Sequence, residues 1–106
     1  MFFTVLLVLL CMDVCFAVWV KQTSGTARNL RDVWLLRPPK QRGWAVGDGG
    51  VILTTQNMGT NWSFQTSPTN QTLYGIAWDL RYVFSKEWAT AVGGDTGGGV
   101  IIHTTN

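Results

Sequence analysis

The sequence predicts an all-β protein whose chain forms antiparallel, four-stranded sheets. Its 106 residues include twelve Gly and six Trp, while only 13% are charged. This composition is typical of strands joined by tight turns rather than of helices. Short alternating or β-branched runs are separated by turn residues, and no stretch keeps a helical periodicity. The third observation is a long internal repeat, in which the same motifs return in the same order.

The length and the charge restrict the class of protein further. A chain of this size forms one small domain at most. A net charge of +2 without a run of Lys or Arg gives no reason to expect a nucleic-acid partner. The sequence therefore argues against a multidomain enzyme, a coiled coil and a polybasic binding protein.

The N-terminus has the pattern of a secretory leader. The apolar run at 2–12 has the length of a signal-peptide core and is shorter than the roughly 20 residues that span a bilayer. Ala17, with Cys15 two positions earlier, supplies the small residues that signal peptidase requires. We predict a signal peptide at 1–17 and a secreted or lumenal protein. An uncleaved membrane anchor and a misassigned start codon are the alternatives.

Both cysteines, Cys11 and Cys15, lie inside this leader. A chain that begins at Val18 has no cysteine, so disulfides, thiol catalysis and thiolate metal sites are excluded together. We expect no cofactor and no metal, and a fold held together by packing alone. Contact with a membrane is expected only through an uncleaved leader.

Beyond the leader the chain repeats itself. Trp19–Thr26 and Trp62–Thr69 both read W-x-x-Q-T-S-x-T and lie 43 residues apart. Two further pairs follow in the same order: A-V-G at 45–47 and 91–93, and G-G-V-I-[LI]-x-T-x-N at 49–57 and 98–106. Repeats of this length with Gly and aromatic markers are typical of β-propeller blades, each made of four antiparallel strands. We therefore predict an incomplete propeller of about two blades.

A segment of the sequence can be assigned to each strand of these blades. With the strands of a blade named a to d from the inside outwards, the chain holds an extra d-like strand at 19–23, a full blade at 30–66 and a partial blade at 73–106. The extra strand has no blade before it, so we expect it to complete the last blade of a closed ring. The predicted strands are Trp19–Thr23, Leu30–Leu36, Trp44–Gly47, Val51–Thr55, Trp62–Thr66, Leu73–Asp79, Trp88–Val92 and Val100–Thr104.

The sharpest motif lies between the last two strands of the full blade. Thr55, Asn57, Gly59 and Trp62 read [ST]-x-[DN]-x-G-x-x-W and resemble the Asp-box, or bacterial neuraminidase repeat, with Asn in the Asp position. We expect the Asn57 oxygen to accept backbone N–H groups, Gly59 to take a positive φ and Trp62 to pack under the turn. A second copy begins at 104–106, where the sequence stops, so we expect the chain to be part of a longer protein.

The whole span from Trp19 to Trp62 resembles the blade consensus of the photosystem II stability/assembly factor family, and the likeness continues to Asn106. This resemblance implies a non-enzymatic propeller that binds proteins and assists their assembly. We expect a secreted or lumenal scaffold without catalysis. The alternatives are a fragment of an Asp-box glycoside hydrolase of the sialidase kind and a sortilin-type receptor ectodomain. A sialidase would need an arginine cluster, an acid and a tyrosine or carboxylate nucleophile. Only Arg28 and Arg31 indicate such a site, and Tyr74 falls at the start of a strand without a partner.

Candidate binding residues fall in the loops opposite the Asp-box turn. Arg28 and Arg31 are candidates for binding a carboxylate or an acidic partner peptide. Asp48 and Asp95 lie in Gly-rich turns of the same loop face, where turn formation accounts for both. We expect His103, on an outward-alternating strand position, to be a surface residue rather than a ligand.

Two further expectations concern the surface. Asn61 and Asn70 satisfy the N-x-[ST] sequon and are candidate glycosylation sites, Asn70 in a loop being the better one. Two blades alone leave apolar faces and strand edges uncovered, so a chain this short is expected to associate with itself.

Overall fold

A computed structural model describes residues 17–36, 40–80 and 87–104 of the chain. Nearly all of the predicted leader lies outside these residues, as does the end of the second motif at 105–106, so both stay predictions. Within the described part, no helix has the length and apolar character that crossing a membrane requires.

The chain forms two antiparallel sheets in which each strand pairs with the next one along the sequence. The all-β class and this antiparallel order confirm the coarse prediction. The first sheet contains β1 (Leu30–Leu35), β2 (Gly43–Gly47), β3 (Ile52–Thr55) and β4 (Ser63–Gln65), and a 3₁₀ turn at Asp48–Gly50 joins its β2 to its β3. The second sheet contains β5 (Leu73–Leu80), β6 (Glu87–Asp95) and β7 (Gly98–His103).

Strand β2 lies between β1 and β3, and all of its residues are buried. Trp44 and Val46 face the second sheet and join the larger hydrophobic cluster. Ala45 faces the other way and packs with Leu53, its cross-strand partner, in a smaller cluster. A strand buried on both sides carries a continuous apolar run rather than an alternating one, and W-A-V fits that rule.

The two sheets pack face to face. The indole rings of Trp44 and Trp78 lie 4.3 Å apart between their centroids. Leu73 and Ile76 of β5 and Ala91 of β6 join Trp44 in one buried cluster that spans both sheets. One hydrophobic core therefore holds the two sheets together.

The first strands of the two sheets also make a direct polar contact. The Ile76 backbone N–H donates to the Asp32 carboxylate with an N–Oδ2 distance of 2.9 Å. Asp32 also accepts the backbone N–H of Val33. The Asp32 side chain therefore bonds β1 to β5 in addition to their packing.

The repeat in the sequence is also a repeat in the structure. Ser24 and Thr26 form a turn in which the Ser hydroxyl donates to the Thr carbonyl oxygen at 3.1 Å. Ser67 and Thr69, in the second W-x-x-Q-T-S-x-T segment, make the same bond at 3.0 Å. Each turn leads into the first strand of a sheet, so the two segments hold equivalent places.

One predicted strand is absent. Trp19–Thr23 has no strand hydrogen bonds, and the Trp19 side chain is 97% exposed. A strand needs a neighbour with which its backbone can pair. The Gln22 side chain accepts the Trp62 indole N–H, but the segment forms no backbone ladder with β4 or with any other described strand. Its sequence matches β4, but β4 forms because β3 lies beside it. The segment at 19–23 therefore forms no strand in this structure, and its expected place in another blade stays a prediction.

Candidate functional site

The antiparallel order places the four candidate residues at one end of the sheets, here called the loop end. This end comprises the segments before β1 and β5 and the turns β2–β3 and β6–β7. Arg28 lies before β1, Arg31 near the start of β1, Asp48 in the β2–β3 turn and Asp95 at the end of β6. The Thr55–Trp62 turn lies at the opposite end.

Arg31 and Asp48 form a two-point ion pair. Arg31 Nε donates to Asp48 Oδ1 at 2.7 Å, and Arg31 Nη2 donates to Asp48 Oδ2 at 3.2 Å. The Asn29 amide donates a third hydrogen bond to Oδ2 at 3.1 Å. A carboxylate with three N–H donors is fixed in position, and a bidentate arginine contact adds directionality to its charge.

This contact stabilises the charged form of both groups. The hydrogen bond from Arg31 is the main reason that the pKa of Asp48 lies below its ordinary value, with the charge of Arg31 and the Asn29 hydrogen bond acting in the same direction. The hydrogen bond to Asp48 likewise raises the pKa of Arg31. Both side chains stand at the surface, so solvent screens the pair and its main effect is to hold Arg31 in place.

The loop end also brings two residues to this pair. The Tyr74 ring lies beneath the Arg31 guanidinium, with 5.6 Å between Arg31 Cζ and the ring centroid. The Arg28 guanidinium packs so closely over Gly49 that a Cβ there would collide with it. The sequence did not indicate this contact between Arg31 and Tyr74. Arg31 and Tyr74 occupy equivalent positions of the repeat, and neighbouring sheets bring such positions together.

Asp95 belongs to the same end but not to this cluster. Its carboxylate accepts the backbone N–H of Thr72 with an N–Oδ2 distance of 3.0 Å, and its own backbone N–H donates to the Gln71 side chain at 3.4 Å. These bonds tie the β6–β7 turn to the segment before β5. These contacts fit the structural role in the turn that the sequence predicted for Asp95.

The Thr55–Trp62 turn has the geometry expected of its motif. Asn57 Oδ1 accepts the Asn61 backbone N–H at 2.9 Å, and Gly59 has a φ of 88°. The Thr55 hydroxyl, buried, accepts the backbone N–H of Gly59 at 2.9 Å and donates to Asn57 Oδ1 at 3.0 Å. Trp62 packs against the smaller cluster. These contacts explain the turn without any bound ligand.

The uncovered face of the first sheet holds an open groove of about 400 Å³. Ala45, Leu53 and Trp62 are among the residues that line it, with Arg31 at the loop end. Gln22 borders the groove and accepts the Trp62 indole N–H at 3.2 Å. The sequence predicted uncovered apolar faces in general, and the structure shows where this one lies.

The remaining candidates lie at the surface. Asn61 and Asn70 are exposed, which leaves both sequons accessible. His103 is exposed and its Nδ1 lies 2.8 Å from the Thr90 hydroxyl, as expected for a surface residue. Within the described residues there is no group of three or more His, Cys, Asp or Glu side chains that could hold a metal ion.

No protein-family model, no curated protein and no solved structure matches this chain. The site must therefore be interpreted from its own geometry.

Proposed function

We propose that this chain is a secreted or lumenal, non-catalytic scaffold built of propeller-type blades, which binds a protein partner through its loop end. The observation that supports this proposal best is the cluster of Arg28, Arg31, Asp48 and Tyr74 at the loop end. It presents a fixed cation, a second cation and an aromatic ring on a rigid double sheet, and such groups are enriched where proteins bind each other.

The repeated architecture supports the blade assignment. The two sheets have the same strand order, the same turn before their first strand and one shared core. The resemblance of the sequence to photosystem II assembly-factor blades points in the same direction. In that family the blades serve assembly rather than catalysis, and we extend this role to the chain as a proposal.

The electrostatics of the cluster favour binding over acid catalysis. A general acid must hold a proton near neutral pH, which requires a raised carboxyl pKa. The Arg31 hydrogen bond lowers the pKa of Asp48 and keeps it ionised. Arg31 and Arg28 are thus suited to bind a carboxylate on a partner, with Asp48 holding Arg31 in place.

A labelled oligoglutamate peptide tests this proposal. We expect the chain to bind it, and we expect Arg28→Ala to weaken binding about three- to tenfold, as is typical for the loss of one charge-assisted contact. Lys40→Ala is the control, because it removes an exposed positive charge at the opposite end of the first sheet. Fluorescence anisotropy measures both. Equal loss in the two variants, or equal binding of an oligolysine peptide, would contradict the proposal.

The sialidase alternative has its own assay. Arg31 and Tyr74 lie together, and such an enzyme would need an arginine cluster, an acid and a tyrosine or carboxylate nucleophile. Turnover of a fluorogenic sialoside by the chain, abolished by Tyr74→Phe, would replace the scaffold proposal with the enzyme. We expect no turnover above that of the Tyr74→Phe variant.

Secretion is tested separately at the N-terminus. Expression in a secreting host is expected to release a protein that begins at Val18, because Cys15 and Ala17 fit the cleavage site. N-terminal sequencing of the product measures this directly. A product that begins at Met1 and sediments with membranes would indicate the uncleaved anchor.

A further inference from the structure

The contact between the two sheets shows how a second contact of the same geometry can form between copies of the chain. The repeat makes the faces comparable, since Val46 corresponds to Val92 and Ile52 to Ile101, while Leu53 corresponds to Ile102. The first sheet packs through its Val46 and Ile52 face, here called the trailing face. The second sheet receives it with the face that carries Ile102, here called the leading face.

Each sheet has one such face left uncovered. The trailing face of the second sheet exposes Val92 by 46% and Ile101 by 75%, whereas Val46 in the first sheet is fully buried. The leading face of the first sheet carries the groove lined by Leu53 and Trp62. Inside the molecule, a trailing face packs on a leading face. The two uncovered faces are again one trailing face and one leading face, so they are complementary.

Within the part of the chain that the structure describes, the second sheet has no counterpart of β4. Within the described residues β7 pairs only with β6, whereas β3, its counterpart, pairs with both β2 and β4. The segment that matches β4 is Trp19–Thr23, which stands unpaired with an almost fully exposed tryptophan. Unpaired edges accept strands from other chains readily.

The order of elements shows where this segment belongs. Strand β4 completes the first sheet, and the Ser67–Thr69 turn then leads into β5 of the following sheet. The Ser24–Thr26 turn likewise leads from Trp19–Thr23 into β1. By the same rule, Trp19–Thr23 completes the sheet that precedes β1. The three-stranded second sheet of another copy is a sheet of this kind.

We propose that copies of this chain associate head to tail. The Trp19–Thr23 segment of one copy adds to β7 of another, while the leading face of the first sheet packs on the trailing face of the other copy's second sheet. The β3–β4 register pairs Ile52 with Gln65 and Thr54 with Ser63. Carried over by the repeat, it pairs Ile101 with Gln22 and His103 with Val20. A contact of this heterologous kind produces rings or filaments. It does not depend on the loop-end binding proposed above.

Sedimentation of the full chain tests the association. We expect the average mass to rise with concentration, and we expect the associated species to have masses that are multiples of the monomer mass. Trp19→Ser and Ile101→Asp should each reduce the association constant at least about tenfold, since each removes an exposed apolar side chain from the contact. Met58→Ser is the control, because Met58 is an exposed apolar residue of the turn at the opposite end. Circular dichroism checks that every variant keeps its strands.

Cross-linking tests the register. Chains with Val20→Cys are mixed with chains carrying His103→Cys, both with Cys11 and Cys15 replaced by Ser. We expect a disulfide-linked dimer on mild oxidation. A mixture of Val20→Cys and Val100→Cys is the control, since three residues along a strand shift the pair by about 10 Å, beyond disulfide reach.

A labelled peptide of residues 18–28 tests whether the Trp19–Thr23 segment, rather than another surface, binds at β7. We expect it to bind Trp19→Ser chains, whose own segment is weakened, and not Ile101→Asp chains. A monomer at all concentrations, association unchanged in both variants, or association that Ile101→Asp removes while Trp19→Ser leaves it intact would each overturn the proposal. The last result would mean that another surface covers the trailing face.

Discussion

At the scale of single residues, the glycine of the A-V-G repeat is explained by a close approach of backbones. Gly47 lies against the carbonyl oxygen of Asn29, and Gly93 lies in the same way against that of Thr72, so closely that a Cβ would collide with the oxygen. Both contacts occur where the ladder of the first strand is interrupted. The same close approach of backbone thus requires glycine at both positions of the repeat.

Replacing this glycine is therefore expected to destabilise the fold. We predict that Gly47→Ala and Gly93→Ala each lower the free energy of unfolding by about 2–3 kcal/mol, because the added methyl group meets backbone that must shift. Gly99→Ala is the matched control, since the nearest atom to its Cβ would be 3.7 Å away. Urea denaturation measures all three. If Gly99→Ala costs as much as the other two, close approach is not the cause.

The Arg31–Asp48 pair gives a prediction about pH. The folded pKa of Asp48 is lowered, so the pair adds stability above the ordinary aspartate pKa of about 3.9 and loses it as the pH falls through the folded value. Arg31→Gln is expected to raise the pKa of Asp48 toward its ordinary value, with the Asn29 hydrogen bond retaining part of the shift. NMR titration of the Asp48 carboxyl carbon measures it. Lys40→Gln, at the other end of the sheet, should leave the pKa unchanged.

At the scale of elements, the sequence predicted most strands because their signals are local. The strand at 30–36 and the strand at 73–79 were placed within a residue of their observed bounds by alternation and flanking turn residues. The segment Trp19–Thr23 carries the same local signal as β4 and still forms no strand. Strand formation also depends on a neighbour, and a single sequence does not state which edge is present.

The Arg31–Asp48 contact could not be predicted for the same kind of reason. Both residues were candidates from their types and their place in the loops, but their pairing depends on how β1 and β2 align. The register is offset by a bulge between Leu30 and Asp32. Such an offset moves Arg31 relative to the β2–β3 turn, and the sequence shows no marker for it.

The Thr55–Trp62 turn gives the prediction at this scale. The buried Thr55 hydroxyl serves the backbone N–H of Gly59 and the Asn57 side chain together. Thr55→Val keeps the shape but leaves a buried N–H without its acceptor, so we expect a loss of about 2–3 kcal/mol. Thr54→Val removes a hydroxyl that donates to the Gly43 carbonyl oxygen at 3.2 Å. It should cost less than about 1.5 kcal/mol. Equal losses in thermal or urea unfolding would contradict this role for Thr55.

At the scale of the whole molecule, one core serves both sheets. Trp44 and Val46 of the first sheet and Ile76, Ala89 and Ala91 of the second belong to a single buried cluster. Neither sheet covers both of its own faces, so each would expose its part of the shared cluster to water without the other. The two sheets should therefore gain and lose stability together.

Hydrogen exchange can show whether they do. Val46 is fully buried in the shared cluster, and Val46→Ala is expected to cost about 2 kcal/mol. If the sheets unfold as one unit, the amides of Ala45 in β2 and Ala91 in β6 should lose protection by the same free energy, although Ala91 lies in the other sheet. Val33→Ala changes a half-exposed residue on the leading face of the first sheet. It should lower the free energy of unfolding by less than Val46→Ala does, and should still reduce the protection of both amides equally. Loss of protection confined to β1–β4 would mean that the second sheet is stable without the first, and that the shared core contributes less than its burial implies.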